Sequence, residues 1–305
     1  MNPGPRDRIV GNNRDNKNGN GLDYMLINSK IQERIPEIVK SIQCIDEKTA
    51  LPEVWKERKQ LERLLRKHAR RTMIAGNIGF GKTNATEILA TYGRAQEVHE
   101  NDNNPILKLY YQDMKKHSKA LQIDLICFRS YEMAFHSQLY KDEPLVFDRT
   151  TYEDPDIFCH ALYQAGLMEK EELHYCLDYF NIKKEDMETR FSMSLDPDLV
   201  IFLQGDIEVG WRRVLTRNRA IELQKDATLG RGLPREFYEI LHAQYEQFLD
   251  RLSKRYQGLI ITLPQDVVEV SDATSSRGIL YVVRGVTESL KIVDEFNSEL
   301  AKLER

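Results

Sequence analysis

A short apolar run followed by a glycine-rich segment, beginning near residue 72, narrows the possible folds of this chain more than any other feature. Thr72–Ala75 has the apolar character of a buried strand, and the segment from Gly76 to Thr83 reads GNIGFGKT. It matches GxxxxGK followed by Ser or Thr, and a helical stretch, Ala85–Ala90, comes next. In such a unit the glycines let backbone N–H groups turn inward around phosphate oxygens, and the helix N-terminus adds partial positive charge. The segment therefore predicts a nucleotide-binding loop in a P-loop α/β fold.

The loop also predicts how phosphates and a metal ion are held. Lys82 can reach the β- and γ-phosphates, and the Thr83 hydroxyl can ligate Mg²⁺. The predicted phosphate-binding residues are Gly76, Asn77, Ile78, Gly79, Gly81, Lys82 and Thr83. The chain has no NKxD motif for guanine and no apolar strand ending in Asp-Glu. These absences count against a GTPase and a motor ATPase.

Four short apolar runs have the length of buried strands, and helical stretches separate them. The runs are Thr72–Ala75, Leu145–Phe147, Leu199–Leu203 and Leu259–Leu263. Strands that alternate with helices indicate βαβ units and a parallel sheet. We therefore expect an α/β fold with a parallel sheet of about five strands flanked by helices, with N- and C-terminal extensions.

The chain is predicted to have a disordered tail, a helical N-terminal extension, a nucleotide-binding domain and a C-terminal extension. Their boundaries are 1–22, 23–71, 72–264 and 265–305. The tail is rich in Asn, Gly and Asp and cannot bury enough apolar surface to fold. In the N-terminal extension, apolar spacing predicts a helix over 25–46, and Pro52 opens a second. In the C-terminal extension, strands Val267–Val270 and Ile279–Arg284 precede the helix Thr287–Leu303.

Charge and cysteine usage restrict the partners and the compartment. The chain has 305 residues with 44 basic and 48 acidic side chains, so its net charge is −4. This balance excludes a broad electrostatic footprint for nucleic acid or an anionic membrane. No apolar run is long enough to span a bilayer, and the N-terminus lacks the apolar stretch of a secretory signal. The four cysteines form no CxxC motif and are expected to be reduced, buried thiols. We expect a cytoplasmic protein that binds neither nucleic acid nor membrane.

An acidic–basic pair, Asp148 and Arg149, follows the apolar run Leu145–Phe147. In open α/β sheets ligands bind outside the carboxyl ends of the strands, so Asp148 is expected to face the triphosphate and its metal ion. The alternative is a turn pair that caps a helix, and the residues alone leave both open. Four arginines between residues 212 and 219 suit a lid that clamps phosphates, with an exposed basic helix as the alternative.

Gln122 and Arg129 are seven residues apart and therefore share one face of a helix. Most residues between them are apolar, so both polar side chains need partners if that helix is buried. A base edge and a carboxylate would provide those partners. The alternative is a solvated stripe on the helix surface.

Together these motifs resemble the deoxyribonucleoside kinase family that includes deoxycytidine, deoxyguanosine and deoxyadenosine kinases. The resemblance covers about Thr72 to Pro264 and consists of GNIGFGKT, Gln then Arg at a spacing of seven, DRTTYED, and the lid pattern R-x₃-R-x-R-x₂-E. The segment Asn104–Tyr111, NPILKLYY, also resembles the deoxyadenosine and deoxyguanosine kinase branch. The family implies transfer of the γ-phosphoryl group of ATP, with Mg²⁺, to the 5′-hydroxyl of a deoxynucleoside, a step of purine deoxynucleoside salvage. Family members are dimers through helices of the core.

The resemblance implies which residues bind the nucleoside. Gln122 would read the base, and Arg129 would pair with Asp154 to line the base pocket. Tyr111 and Glu222 would hold the 3′-hydroxyl.

The resemblance also implies the catalytic groups. Arg149 would orient the 5′-oxygen, and Asp148 would serve the Mg²⁺ shell. The general base is expected at Glu100, with Glu97 as the alternative. The lid arginines would be Arg213, Arg217 and Arg219.

The base preference is predicted from the pairing of Arg129 with Asp154. The paired carboxylate can still accept a hydrogen bond from an exocyclic amino group, whereas thymidine presents a methyl and a carbonyl there. Deoxyadenosine and deoxycytidine remain, with deoxyguanosine in a rearranged pocket. The NPILKLYY resemblance favours a purine, and the amino group then favours deoxyadenosine. Two other functions stay open: a nucleoside monophosphate kinase, which would need a further basic site for the acceptor phosphate, and a catalytically silent structural subunit.

The extensions lead to a hypothesis about assembly. Val267–Val270 and Ile279–Arg284 would be exposed strands, which are edges that invite pairing, so the N- and C-terminal extensions would together build a second interface. The protein would then be a dimer of dimers. The alternative is that both extensions fold back on their own subunit.

Overall fold

The computed structural model describes residues 23–99, 104–217, 233–265 and 275–303. Its five strands form one parallel sheet in the order β2-β3-β1-β4-β5. The strands are β1 Arg71–Gly76, β2 Gln96–Val98, β3 Leu145–Asp148, β4 Leu199–Gln204 and β5 Leu259–Pro264. The predicted α/β fold and its four predicted strands are confirmed. The predicted tail and the segment Val267–Val270 lie outside the described residues.

Helices precede, connect and follow the strands. They are α1 Tyr24–Gln43, α2 Glu47–His68, α3 Lys82–Gly93, α4 Pro105–Gln112, α5 Met114–Leu139, α6 Cys159–Gln164, α7 Lys170–Phe191, α8 Ile207–Arg217, α9 Arg235–Glu246, α10 Phe248–Ser253 and α11 Ser276–Leu303. A π-helical segment, Asp154–Phe158, leads into α6. Across the described ranges, no helix is long and apolar enough to cross a membrane.

Both faces of the sheet are buried, as parallel sheets require. Along β1, Ile74 packs into an apolar cluster formed with α1, α2, α3 and α11, whereas Ala75 packs into a second cluster on the opposite face. The second cluster includes residues of α4 to α10. The fold therefore has a helical layer on each face of the sheet.

The N-terminal extension packs on its own subunit. The α1 residues Ile27 and Ile31 are fully buried against the sheet layer. Asn28 donates from Nδ2 to the Gly258 carbonyl at 3.1 Å and accepts from the Ile260 N–H at 2.9 Å. These two bonds satisfy backbone groups at β5, which lies at the end of the sheet. One side chain of α1 thus covers part of an edge that would otherwise be open to pairing.

The C-terminal extension differs from the prediction. Ile279–Arg284 was predicted to be a strand, but it lies in α11, which begins at Ser276 rather than at Thr287. Its β-branched and aromatic run suits either a strand or a buried helix, and burial against α1, α2 and β5 decides for the helix. The helix removes one of the two strands on which the second-interface hypothesis was based, and the other, Val267–Val270, lies outside the described residues. The described parts of both extensions fold back on their own subunit.

Ionic contacts join α2 to α11. Arg284 lies 2.6 Å from a carboxylate oxygen of Glu57, and burial raises the pKa of that glutamate. Almost three turns further along α11, partial burial would raise the pKa of Asp294, but hydrogen bonds from Arg63, Lys67 and His68 of α2 lower it. The contacts fix the register of two helices that also share a buried apolar face.

The start of α2 also differs from the prediction. The helix begins at Glu47, and Pro52 lies inside it. Asp46 supplies the N-cap, because its carboxylate accepts from the N–H groups of Lys48 and Thr49 at 2.9 and 3.0 Å. Pro52 removes one intrahelical hydrogen bond from the second turn of α2, whereas the cap at Asp46 stabilises the first turn.

If α1 is part of the folded core, truncating its buried face must destabilise the whole protein. We expect Ile31→Ala to lower the free energy of unfolding by about 2–4 kcal/mol, because it leaves a cavity at a fully buried site. Met25→Ala on the same helix is the matched control, since Met25 is 71% exposed, and its effect should stay below about 0.5 kcal/mol. Urea unfolding followed by circular dichroism measures both. Equal, small effects would mean that α1 is not part of the cooperative unit.

Candidate active site

The glycine-rich loop connects the carboxyl end of β1 to the N-terminus of α3. Gly79 has φ +88°, and a Cβ atom there would lie 2.5 Å from the Gly210 carbonyl of α8. Gly81 has φ +80° and is the N-cap residue of α3. Only glycine adopts these conformations readily, and the first also requires the absence of a side chain. The conformation of the turn therefore depends on its glycines and on close contact with α8.

Lys82 lies inside this loop. Its ammonium group donates to the carbonyls of Gly76 and Asn77 at 2.7 and 3.1 Å, and the side chain is buried. Asn77 is also buried, and its Oδ1 accepts from the Ile78 N–H at 2.7 Å. The structure therefore brings together the predicted loop residues around one buried positive charge. Such a charge beside inward-facing backbone groups suits phosphate oxygens.

The pairing of β1 with β3 places Asp148 beside the loop. Ile74 of β1 is in register with Asp148, the last residue of β3. The Thr83 hydroxyl donates to Asp148 Oδ2 at 2.6 Å. The other oxygen, Oδ1, is buried and has no hydrogen-bond partner in the described structure. A buried carboxylate oxygen next to a hydroxyl needs a cationic or hydrogen-bonding partner.

The Asp148 carboxylate and the Thr83 hydroxyl fit a magnesium ion. Mg²⁺ binds one or two protein oxygens and completes its shell with water and substrate phosphates. Asp148 and Thr83 provide such oxygens at the mouth of the glycine-rich loop. Within the described ranges, no cluster of three or more His, Cys, Asp or Glu side chains could hold a metal by itself. A partly protein-bound ion of the magnesium type is therefore the metal that this site suits.

Arg149 has an unusual backbone conformation. Its φ is +90°, which strains a residue with a side chain. Its N–H donates to the Ile74 carbonyl at 3.0 Å. The guanidinium lies 3.3 Å from the Tyr245 hydroxyl, 3.5 Å from a Glu153 oxygen and over the ring of Phe158. The arginine is thus held from several sides at the end of β3.

A second group of polar side chains lies between α5 and the π-helical segment. Arg129 of α5 forms a salt bridge with Asp154 Oδ1, and the Asp154 side chain is almost fully buried. Gln122 is two turns earlier on α5 and is 2% exposed, and its Oε1 accepts from the Cys159 thiol at 3.8 Å. The structure therefore pairs Arg129 with Asp154, and Arg129 lies on the same face of α5 as Gln122. A π-helical turn is frequent at functional sites.

Asp154 has an acceptor that the protein leaves unused. Its Oδ2 is buried and has no hydrogen-bond partner in the described part of the chain. Burial raises the pKa of this carboxyl to about 6, and the charge of Arg129 only partly offsets the effect. A carboxylate in this setting has one oxygen neutralised by an arginine and one oxygen available to a donor from outside the protein.

Tyr111 lies on α4, which contacts α5. Its ring is buried and packs edge-on against Tyr110 at 5.3 Å between centroids. Both rings belong to the same apolar cluster as Leu121 of α5, next to Gln122. The tyrosine predicted to contact the sugar is therefore near the helix that carries the predicted base-reading residue.

The remaining predicted residues divide between α8, β2 and the parts outside the described residues. Arg213 is half-buried and Arg217 exposed on α8. Glu97 lies in β2, where its side chain is 43% exposed and its carboxylate lies 3.3 Å from His99 Nε2. The predicted residues outside the described ranges are Glu100, Arg219 and Glu222.

Sequence reasoning missed three residues of α9. Tyr238 donates to the Ile78 carbonyl of the loop at 2.9 Å, and His242 Nδ1 lies 3.4 Å from Asn77 Nδ2. Tyr245 donates to Glu153 at 2.6 Å. Their spacing places them on one face of the helix, but nothing in that pattern separates them from ordinary core residues. For Glu153 a signal existed: Thr-Thr-Tyr-Glu matches a capping box.

The comparisons with known proteins agree with this geometry. A family model described as deoxynucleoside kinase matches residues 72–285, from β1 into α11. The chain is 29% identical over 185 residues to a deoxyadenosine/deoxycytidine kinase of Bacillus subtilis, covering 58% of this chain and 75% of the relative. It is 26% identical over 237 residues to a deoxyguanosine kinase of Lactobacillus johnsonii, covering 75% of this chain and 98% of the relative.

A solved structure shows the same fold. A deoxyadenosine kinase from M. mycoides with bound dATP has a TM-score of 0.50 and 24% identity, covering 63% of this chain and 90% of that one. The family model covers most of the chain, including the glycine-rich loop, Asp148-Arg149 and the Arg129–Asp154 pair. This chain belongs to the deoxynucleoside kinase family.

Proposed function

We propose that this protein transfers the γ-phosphoryl group of ATP to the 5′-hydroxyl of a deoxyribonucleoside, with deoxyadenosine as the preferred acceptor. The supporting observation is the position of two different pockets on adjacent strands. The glycine-rich loop follows β1, and the segment from Asp148 to Asp154 follows β3, with Ile74 and Asp148 in register. A donor phosphate and an acceptor hydroxyl bound in these pockets would meet at the carboxyl edge of the sheet.

Positioning and charge neutralisation provide most of the rate acceleration in phosphoryl transfer. Lys82 would hold the transferring group, together with the lid arginines Arg213, Arg217 and Arg219. A Mg²⁺ ion at Thr83 and Asp148 would neutralise charge on the phosphates. Arg149 would orient the 5′-oxygen for attack.

The general base is proposed to be Glu100. In the β2–β3 pairing, Glu97 is in register with Val146 and Val98 with Phe147. His99 therefore reaches the level of Asp148, and Glu100 is the next residue in the chain. Glu97 is set back from the carboxyl edge, where a base must meet the 5′-hydroxyl.

The base preference rests on the unused oxygen of Asp154. A buried acceptor without a donor is costly, so a nucleobase with an exocyclic amino group at that position is favoured over one with a carbonyl. Adenine and cytosine both have such a group. The relatives include deoxyadenosine, deoxycytidine and deoxyguanosine kinases, so their names leave the base open. The NPILKLYY segment favours the purine. Gln122 would read the base edge, and Tyr111 and Glu222 would hold the 3′-hydroxyl.

A second copy of the chain is proposed to cover α5 and α7. Tyr131, Phe135 and Leu139 form an exposed stripe on α5, with exposed fractions of 43%, 39% and 56%. On the adjacent helix α7, Tyr175 and Ile182 are 50% and 64% exposed. Apolar patches of this kind mark protein–protein contacts, and the family resemblance implies dimers through core helices. A homodimer through this face is therefore the proposed assembly.

A cytoplasmic location is also proposed. The four cysteines form no disulfide. Cys159 and Cys176 are buried as predicted, whereas Cys127 is half-buried and Cys44 is exposed, so the prediction of burial was wrong for these two. Free thiols are the usual state in a reducing compartment.

The proposed reaction is tested with ATP, Mg²⁺ and a panel of the four deoxynucleosides, adenosine and deoxyadenosine monophosphate. We expect the highest kcat/KM for deoxyadenosine and a value for thymidine lower by roughly 10²-fold or more. Lys82→Ala should lower kcat by roughly 10²- to 10³-fold, because a preorganised charge on the phosphoryl group is lost. Lys254→Ala is the control, because Lys254 is exposed at the C-terminal end of α10. Its kcat should equal that of the wild type.

Each alternative has its own result in this panel. Near-wild-type turnover by Lys82→Ala would overturn the kinase assignment. Thymidine as the best acceptor would overturn the Asp154 argument, and deoxycytidine as the best would overturn only the purine step. A product from the monophosphate alone would indicate a monophosphate kinase.

Asp154 is expected to make nucleoside use depend on pH. Its folded-state pKa of about 6 lies above the usual 3.8, so the carboxyl is protonated below about pH 6 and ionised above it. The ionised form accepts the amino group, so kcat/KM for deoxyadenosine should fall by up to about tenfold per pH unit below pH 6. Asp154→Asn should flatten this limb, because an amide does not titrate there. The KM for ATP, measured over the same range, is the internal control. An unchanged limb in Asp154→Asn would assign the titration to another group.

The proposed homodimer predicts a particle of twice the 35.7 kDa chain. Leu139→Glu should convert it to a monomer, because a charge would be buried in the interface without a partner. Met25→Glu, also at an exposed apolar residue but on α1, is the matched control and should stay dimeric. Light scattering after size exclusion measures the mass. A monomeric wild type would contradict the dimer. A mass of four chains would support the hypothesis of a second interface through the extensions.

A further inference from the structure

A fully buried carboxylate, Glu153, lies between the glycine-rich loop and Arg149. Its exposed fraction is 0%. An isolated charge in such a place would be costly, so its partners must account for it. Neither the phosphate-binding nor the nucleoside-binding role proposed above uses this residue.

One oxygen of Glu153 has a local, structural role. Oε2 accepts from the Thr150 N–H at 2.7 Å, and the Glu153 N–H donates to the Thr150 hydroxyl at 3.1 Å. This reciprocal pair is a capping box, which Glu and Gln can both form. Because Thr150 follows Arg149, the bond to Oε2 also fixes the peptide next to the strained φ of +90°.

The other oxygen has partners that a capping box does not require. Oε1 accepts from the Tyr245 hydroxyl at 2.6 Å and lies 3.5 Å from the Arg149 guanidinium. It also lies 3.4 Å from the N–H of Gly76, the first residue of the glycine-rich loop. The Tyr245 hydroxyl in turn lies 3.3 Å from Arg149. One oxygen atom therefore connects α9, the arginine at the end of β3 and the loop at the end of β1.

We propose that Glu153 is a positioning residue for phosphoryl transfer, which acts by fixing Arg149 relative to the glycine-rich loop with the help of the Tyr245 hydroxyl. This role rests on the proposed function, in which Arg149 orients the 5′-oxygen. A positioning error of about 1 Å at such a group can cost roughly 10²-fold in rate. The charge on Oε1 is the feature that an uncharged isostere would lose.

Glu153→Gln separates the two oxygens. The amide keeps a capping box but removes the negative charge that faces Arg149. We expect kcat to fall by roughly 10- to 100-fold, while the KM values for ATP and the deoxynucleoside change by less than about threefold. Tyr245→Phe should lower kcat in the same direction by a smaller factor. Because the tyrosine substitution leaves the carboxylate in place, it tests the proposal even if Glu153→Gln does not fold.

The chain offers a matched control for each change. Glu172 forms a capping box at the start of α7, so Glu172→Gln measures the cost of the same substitution without Arg149. Tyr256 is a buried tyrosine whose hydroxyl donates to the Pro197 carbonyl at 3.1 Å, so Tyr256→Phe is the control for Tyr245. Both controls should keep wild-type kcat, whatever their melting temperatures.

A double substitution tests whether Glu153 acts through Arg149. In an Arg149→Lys background, Glu153→Gln should change kcat by less than about threefold, because coupled residues are not additive. An additive loss, or a kcat for Glu153→Gln within about twofold of wild type, would reduce Glu153 to a helix cap and overturn the proposal. Wild-type protein inactive on the whole acceptor panel would instead overturn the proposed function, and this role with it.

Discussion

The parallel pairing of β1 with β3 is the interaction on which the rest of the site depends. It puts Ile74 in register with Asp148, so that the glycine-rich loop and the DRTTYED segment leave the sheet side by side. The Thr83–Asp148 bond, the Arg149 N–H bond to Ile74 and the Glu153 approach to Gly76 all follow from that register. A shift of one residue would turn alternate side chains to the opposite face and separate these groups.

Three carboxylates within seven residues of the chain, Asp148, Glu153 and Asp154, differ in how many of their oxygens have hydrogen-bond partners. Both oxygens of Glu153 are used by protein donors. Asp148 and Asp154 each keep one buried oxygen without a partner in the described structure. Because a buried polar atom without a partner is costly, the unused oxygens of Asp148 and Asp154 in this part of the site suit ligand contacts, whereas Glu153 is satisfied by the protein itself. The same accounting distinguishes the proposed positioning residue from the proposed metal and base contacts.

The helices outside the recognised motifs support the sheet that carries them. α1, α2 and α11 form, with α3, the layer on one face, and they bury β-strand residues such as Ile201 and Leu263. On the other face, α9 contacts the glycine-rich loop through Tyr238 and His242. The loop is therefore fixed at its start by β1, at its end by α3, and between them by contacts with α9. A rigid sheet and a supported loop are what preorganised phosphate binding requires.

The sequence by itself determined the units whose geometry is set within a few residues: β1, the glycine-rich loop and α3, and the common face of Gln122 and Arg129. Glycine conformations and helical periodicity depend on neighbours in the chain, so pattern is sufficient for them. Ile279–Arg284 was predicted wrongly, because its apolar run suits a strand or a buried helix until packing against α2 decides. Tyr245 and Glu153 are 92 residues apart. Only the tertiary structure could decide that they meet, since contacts between distant segments depend on how helices pack on the sheet and leave no local pattern.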